Sequence, residues 1–186
     1  MTTFSPSDST CSRARCNIVV KVILIRSFLA VLFIILGISG CKGKHTSIKI
    51  GEPPPQFTLP DTKGQKISLP DSVKGNVVVI RFWADWCTYC AKEMPAIEVV
   101  YQKYKDKGLI ILAVNVGQPK EVAEAFTTAL KISYPVLLDT YSVAAKRYGV
   151  VGLPTMFVID RNGILREKIL GEADREIFEK IVVQLL

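Results

Sequence analysis

Apolar and polar positions alternate along this chain in blocks that change period several times. Residues 76–84, NVVVIRFWA, form a β-rich apolar run long enough for a central strand, and 109–116, LIILAVNV, form a second one. Between them, Ile97, Val100, Tyr101 and Tyr104 recur at helical spacing, which predicts a helix from Cys87 to about Lys107 with a kink at Pro95. Residues 119–130 read as a helix with proline in its first turn. Residues 135–139 read as a short strand, and 141–148 as a short helix ended by Gly149. Two β-rich runs, 155–160 and 164–170, flank Arg161-Asn162-Gly163 and predict a hairpin; an amphipathic helix over 172–185 closes the chain. Upstream, FTLPD and KISLPD, separated by Thr62-Lys63-Gly64-Gln65, predict a small β-hairpin. Strands alternating with helices, then a hairpin and a last helix, indicate one α/β sandwich.

The first 56 residues follow different rules. Residues 27–40, SFLAVLFIILGISG, carry no charge, and Lys21 and Arg26 lie just before them. A positive flank, a short apolar run and small residues make an export signal. The run has 14 residues, short of the roughly 20 a spanning helix needs. Ile38-Ser39-Gly40-Cys41 resembles the lipobox of bacterial lipoproteins, which implies cleavage before Cys41 and a lipid on its thiol. An uncleaved signal anchor with an incidental Cys41 is the alternative, and either one leaves the rest tethered to a membrane on its extracytoplasmic side. Residues 1–20 are polar and long for a signal's positive region, as expected if translation starts downstream. The expected organisation is a leader over 1–40, a lipid-tethered linker over 41–56 stiffened by Pro53-Pro54-Pro55, and a single domain over 57–186.

Charge then narrows the class. The whole chain has a net charge of +7, and residues 1–40 hold four basic residues and one acidic, leaving +4 beyond them. There is no dense Lys/Arg cluster, which argues against nucleic acid as a partner.

Cysteines narrow it further. Residues 82–95 read FWADWCTYCAKEMP, and beyond Cys41 the chain has only Cys87 and Cys90. A disulfide scaffold would need more bridges, and a bridge across two residues would constrain little chain entropy. A four-ligand zinc site would need two more Cys or His; the single histidine, His45, lies in the linker. No metal or other cofactor is therefore expected. Electron exchange through the pair is the reading that survives. Cys87 sits where strand gives way to helix, where unpaired N–H groups favour a thiolate, the attacking species in disulfide exchange. Cys90, one helical turn on, can reach back to close a ring.

Trp86-Cys87-Thr88-Tyr89-Cys90 resembles the WCxxC motif of thioredoxin-like proteins. Pro95 matches that family's kink proline, and Gly152-Leu153-Pro154-Thr155 resembles its cis-proline loop. With GEPPPQFTLPDTKGQKISL, LAVNVG, PVLLD and YGVVGLPTMFVIDRNG, the resemblance spans about 50–186 and is nearest the membrane-tethered TlpA/ResA-like branch. It implies a thioredoxin-like sandwich: a central mixed sheet flanked by helices, an N-terminal hairpin, and a helix-bearing insert between LAVNVG and PVLLD. It also implies an extracytoplasmic thiol-disulfide oxidoreductase that reduces protein disulfides, apocytochrome c among them, with electrons from a membrane thiol donor. The expected working unit is a monomer.

By the same resemblance, Pro154 and Leu153 lie beside the cysteines, with Leu153 in the loop that pairs with substrate backbone, and Trp86 lines the surface next to Cys87. Glu93 matches the branch's active-site glutamate; a solvated helix glutamate is its ordinary alternative. Arg81 stands where thioredoxin has a buried acid, and the expectation is a side chain that snorkels outward to an edge. Trp83, Phe82, Met94, Met156 and Phe157 suit packing. Two other functions stay open. A peroxiredoxin-like peroxidase shares the LPDTKGQKISL segment, but Ala84 stands where such enzymes carry a hydroxyl three residues before the reactive cysteine. A copper-delivery or scaffold protein of this fold is expected to add a histidine near the metal, and none follows His45.

Overall fold

Strand β3 (Val77–Trp83) is buried at every position, and its β-branched and aromatic side chains suit a sheet covered on both faces. Alternation divides those side chains between two cores. Val77, Val79 and Trp83 join one, whereas Val78, Ile80 and Phe82 join the other. The computed structural model describes residues 48–186. The predicted lipobox, Cys41 and the apolar run lie outside the described residues.

β3 is the centre of a five-stranded sheet in the order β5-β4-β3-β6-β7. β4 (Leu109–Val116) runs parallel to β3, and β5 (Val136–Asp139) parallel to β4, whereas β6 (Thr155–Ile159) is antiparallel to β3 and β7 (Leu165–Leu170) to β6. The N-terminal hairpin pairs β1 (Phe57–Pro60) with β2 (Lys66–Leu69) and meets β5 through one bridge, Asp61 to Leu137. The mixed thioredoxin-like sandwich expected from the sequence is therefore present.

Among the described residues, four α-helices cover the sheet: α1 (Thr88–Tyr104), α2 (Lys120–Ala129), α3 (Val143–Arg147) and α4 (Arg175–Leu185). The first core gathers Met94, Ile97 and Val100 from α1 with Ala123 from α2 and Phe178 and Val182 from α4. The second gathers Ala144 and Ala145 from α3 with Phe57 and Leu69 from the hairpin. In the second core, Tyr148 and Phe157 meet edge-on at 5.0 Å, and each packs against Phe82. The Tyr148 hydroxyl donates to the Pro55 carbonyl at 2.7 Å. Gly51 N–H and the Glu52 carbonyl also bond Leu165 of β7, so residues 51–56 are fastened to the domain.

Several ends differ from the sequence expectation by a few residues, each for a local reason. α1 is unbroken through Pro95 and stops at Tyr104, where a 3-10 turn over Lys105–Lys107 takes over. Gly108 then adopts φ +95°, and a Cβ there would lie 3.1 Å from the Arg161 guanidinium. α3 starts late, at Val143, because the buried Asp139 carboxylate accepts the N–H groups of Val143, Ala144 and Ala145. α4 starts at Arg175 because Asp174 caps it, accepting Glu176 N–H at 2.8 Å.

Candidate active site

Parallel pairing sends the carboxyl ends of β3, β4 and β5 to one end of the sheet, where α/β folds place their chemistry. Ala84-Asp85-Trp86 leaves β3 there and delivers Cys87 to the first position before α1. Cys87 has φ −84° and ψ 97°, extended backbone suited to a cap. Its Sγ accepts the Cys90 N–H at 3.2 Å, and its carbonyl accepts the N–H groups of Cys90 and Ala91. The two sulfurs are bonded, with the Cα atoms 5.2 Å apart. Cys90 is fully buried, and Cys87 keeps the small exposure the pair has, at 5%. A thiolate left on Cys87 by reduction would face the open N–H groups of the helix start. That of Cys90 would face the core.

The loop before Cys87 is clamped by residues that no sequence motif flags. Gln118, on the connection after β4, accepts the Asp85 N–H at 3.0 Å and the Asn115 side-chain N–H at 2.8 Å through Oε1, while its Nε2 donates to the Asp85 carboxylate. Asn115 is fully buried and pairs across the ladder with Trp83. The one legible hint is a lone amide in the apolar run LIILAVNV. Gln118→Ala removes both anchors of Asp85. It should speed amide exchange at Asp85 and Trp86 by about tenfold, the scale of one lost hydrogen bond of roughly 1.4 kcal/mol, leaving exchange in β3 unchanged. Hydrogen exchange followed by mass spectrometry reads this directly.

Other expected residues fall as follows. Trp86 is 70% exposed beside Cys87, and Trp83 is buried, stacked on Phe126 at 5.1 Å. The Leu153–Pro154 peptide is cis. Pro154 leads into Thr155, which pairs with Phe82 near the carboxyl end of β3. Leu153 is half-buried and packs against the core that contains Cys87 and Cys90. The Pro154 carbonyl accepts Gly171 N–H at 2.8 Å, bringing the end of β7 alongside. Tyr89, Val151 and Leu170 are exposed apolar side chains.

Arg81 overturns its expectation. β3 is the middle strand, with β4 and β6 on either side, so no sheet edge lies within reach. Its side chain is fully buried, with Nη2 2.7 Å from Glu93 Oε2. Glu93 is correspondingly buried at 2% and is no solvated helix glutamate. The contact is one of charge: no guanidinium nitrogen of Arg81 and neither carboxylate oxygen of Glu93 has a hydrogen-bond partner among the described residues. Nor do the described residues hold any group of three or more His, Cys, Asp or Glu side chains arranged for a metal ion. No described helix is long and apolar enough to cross a membrane.

Comparison with known proteins agrees with this geometry. Residues 50–168 match the model of the AhpC/TSA family. A thiol-disulfide oxidoreductase ResA of Bacillus cereus is 36% identical over 146 residues, covering 78% of this chain and 84% of that protein. ResA of Geobacillus kaustophilus is 37% identical over 137 residues, covering 74% and 78%. Among solved structures, a Chlorobium tepidum protein assigned as thiol:disulfide interchange protein DsbE superposes with a TM-score of 0.70 at 33% identity, covering 75% of this chain and 99% of that one.

Proposed function

The chain belongs to the AhpC/TSA family and is a thiol-disulfide oxidoreductase, and from that premise we propose that it reduces protein disulfides outside the cytoplasm, held to a membrane by lipid on Cys41. The observation that carries the reaction is the Cys87–Cys90 pair at the start of α1, with only Cys87 open to a partner. The Cys87 thiolate of the reduced protein attacks one sulfur of a substrate disulfide. A mixed disulfide forms, and the first substrate thiolate leaves and takes up a proton. Cys90, deprotonated in turn, attacks Cys87 Sγ and releases the second substrate thiol. Two electrons have passed to the substrate, and the protein holds the Cys87–Cys90 disulfide.

The exposed Trp86 gives the substrate an apolar wall, and the backbone of Leu153, before Pro154, gives it a strand-like partner. Glu93 is the buried acid of the site, one helical turn beyond Cys90. Electrons return from a membrane thiol donor, and the substrates include the haem-binding cysteines of apocytochrome c. The working unit is a monomer, and neither nucleic acid nor a cofactor takes part. Names of the ResA and DsbE relatives support the thiol chemistry, and Ile38-Ser39-Gly40-Cys41 supports the anchor.

Insulin reduction run beside peroxide consumption tests the reaction. Reduction of insulin dependent on both cysteines, with negligible peroxide turnover, is expected; the reverse would make the protein a peroxidase. Fatty-acid labelling in cells should vanish in Cys41→Ala. Labelling that survives the substitution, or an intact amino end that keeps residues 21–40, would remove the lipid anchor.

A further inference from the structure

Exchange between a thiol and a disulfide does not require an ion pair, yet Arg81 and Glu93 bury one directly against the active-site helix. Taking two charges out of water is costly, and an apolar pair of similar volume often serves stability as well or better. A gain in stability therefore does not explain the pair. Its position gives a better reason. Strand alternation puts Arg81 on the face of β3 that carries Val79 and Trp83, the face under α1. Glu93 lies three residues beyond Cys90, so the two occupy one face of the helix, with Cβ atoms about 5–6 Å apart. Both are buried, so solvent screens neither from the other.

An unbalanced carboxylate at that distance would oppose a thiolate on either sulfur and suppress exchange at neutral pH. The guanidinium at 2.7 Å supplies the opposite charge. We propose that Arg81 is a positioning residue of the exchange reaction, balancing Glu93 so that the dithiol meets the field of a neutral pair rather than of a carboxylate. The inference rests on reading Glu93 as the acid that faces the dithiol.

The other charged groups around the helix are Asp85, held by Gln118, Lys92 paired with Glu172 on the exposed side, Glu98, which accepts from Ser133 and Gln102, and Lys103 near the far end, paired with Glu179 of α4. The substitutions below replace none of these residues. Tyr134, from the segment before β5, donates to the Met94 carbonyl at 3.4 Å. Burial pushes its hydroxyl far above the ordinary range, with Arg81 pulling it down and Glu98 and Glu93 pushing it up. It therefore stays protonated across the neutral range.

The test is thiolate absorbance against pH for the reduced wild type, Arg81→Gln, Glu93→Gln and the double variant. Arg81→Gln should raise the thiolate midpoint by about one pH unit and Glu93→Gln should lower it by about one, each roughly a tenfold change in thiolate fraction at a fixed pH below the midpoints. The double variant should titrate within a few tenths of a unit of wild type. A purely structural pair would lower stability in both single variants without moving the midpoints in opposite directions. If Arg81→Gln does not fold, Arg81→Lys and the double variant carry the test, and both should keep the wild-type midpoint. A midpoint that moves in Glu93→Gln but not in Arg81→Gln overturns the role of Arg81 and leaves Glu93 its own. Midpoints unmoved in both variants overturn both readings.

Discussion

Cys87→Ser is expected to reduce insulin no faster than the assay's own reductant, a fall of more than about a thousandfold, the scale on which an enzyme feels loss of its covalent nucleophile. Serine matches the thiol in shape and can still accept Cys90 N–H, the bond that caps α1. The fold should therefore survive, with circular dichroism and thermal unfolding near those of the reduced wild type. What is lost is the sulfur that can be attacked and can attack. The fully buried Cys90 thiol cannot take its place, because a substrate disulfide cannot line up with a sulfur that has no surface. Residual activity above a tenth of wild type would show that Cys90 is reachable and that the roles have been assigned to the wrong residues.

The second large effect is on stability and lies on the opposite face of the sheet. Phe157 is fully buried in β6 and packs edge-on against Tyr148 at 5.0 Å and Phe82 at 5.9 Å. Phe157→Ala should cost about 3–5 kcal/mol, a large share of the roughly 5–15 kcal/mol that holds a domain together. Urea unfolding at a fixed redox state measures it, and a loss below about 1 kcal/mol would mean that the second core repacks. The dithiol lies with the other core. Whatever fraction of Phe157→Ala stays folded should therefore exchange disulfides at the wild-type rate per folded molecule.

How much of this was legible in the sequence depends on the range of the interactions involved. β4 was readable residue for residue, because a long run of apolar, largely β-branched side chains has few other uses. Cys87 and Cys90 were readable as a pair for electron exchange because no other cysteine follows Cys41 and the single histidine, His45, lies in the linker. Helix ends were less so. A carboxylate set several residues back, as Asp139 is for α3, decides where N–H groups are satisfied, and periodicity does not register it. Arg81 departs from its expectation because the pattern of a strand does not tell its place in the sheet; only strand order shows that no edge is near. Gln118 went unseen because its bond to Asp85 spans 33 residues and belongs to no motif.

The direction of attack is the centre of the account, and trapping tests it most directly. Reduced Cys90→Ser is mixed with a peptide containing a single disulfide, quenched with acid, digested and mapped by mass spectrometry. Without its resolving thiol, this variant should accumulate a mixed disulfide on Cys87, while the matching Cys87→Ser protein accumulates none. An adduct on Cys90 in Cys87→Ser, with Cys90→Ser remaining free, would reverse the two roles and contradict the mechanism.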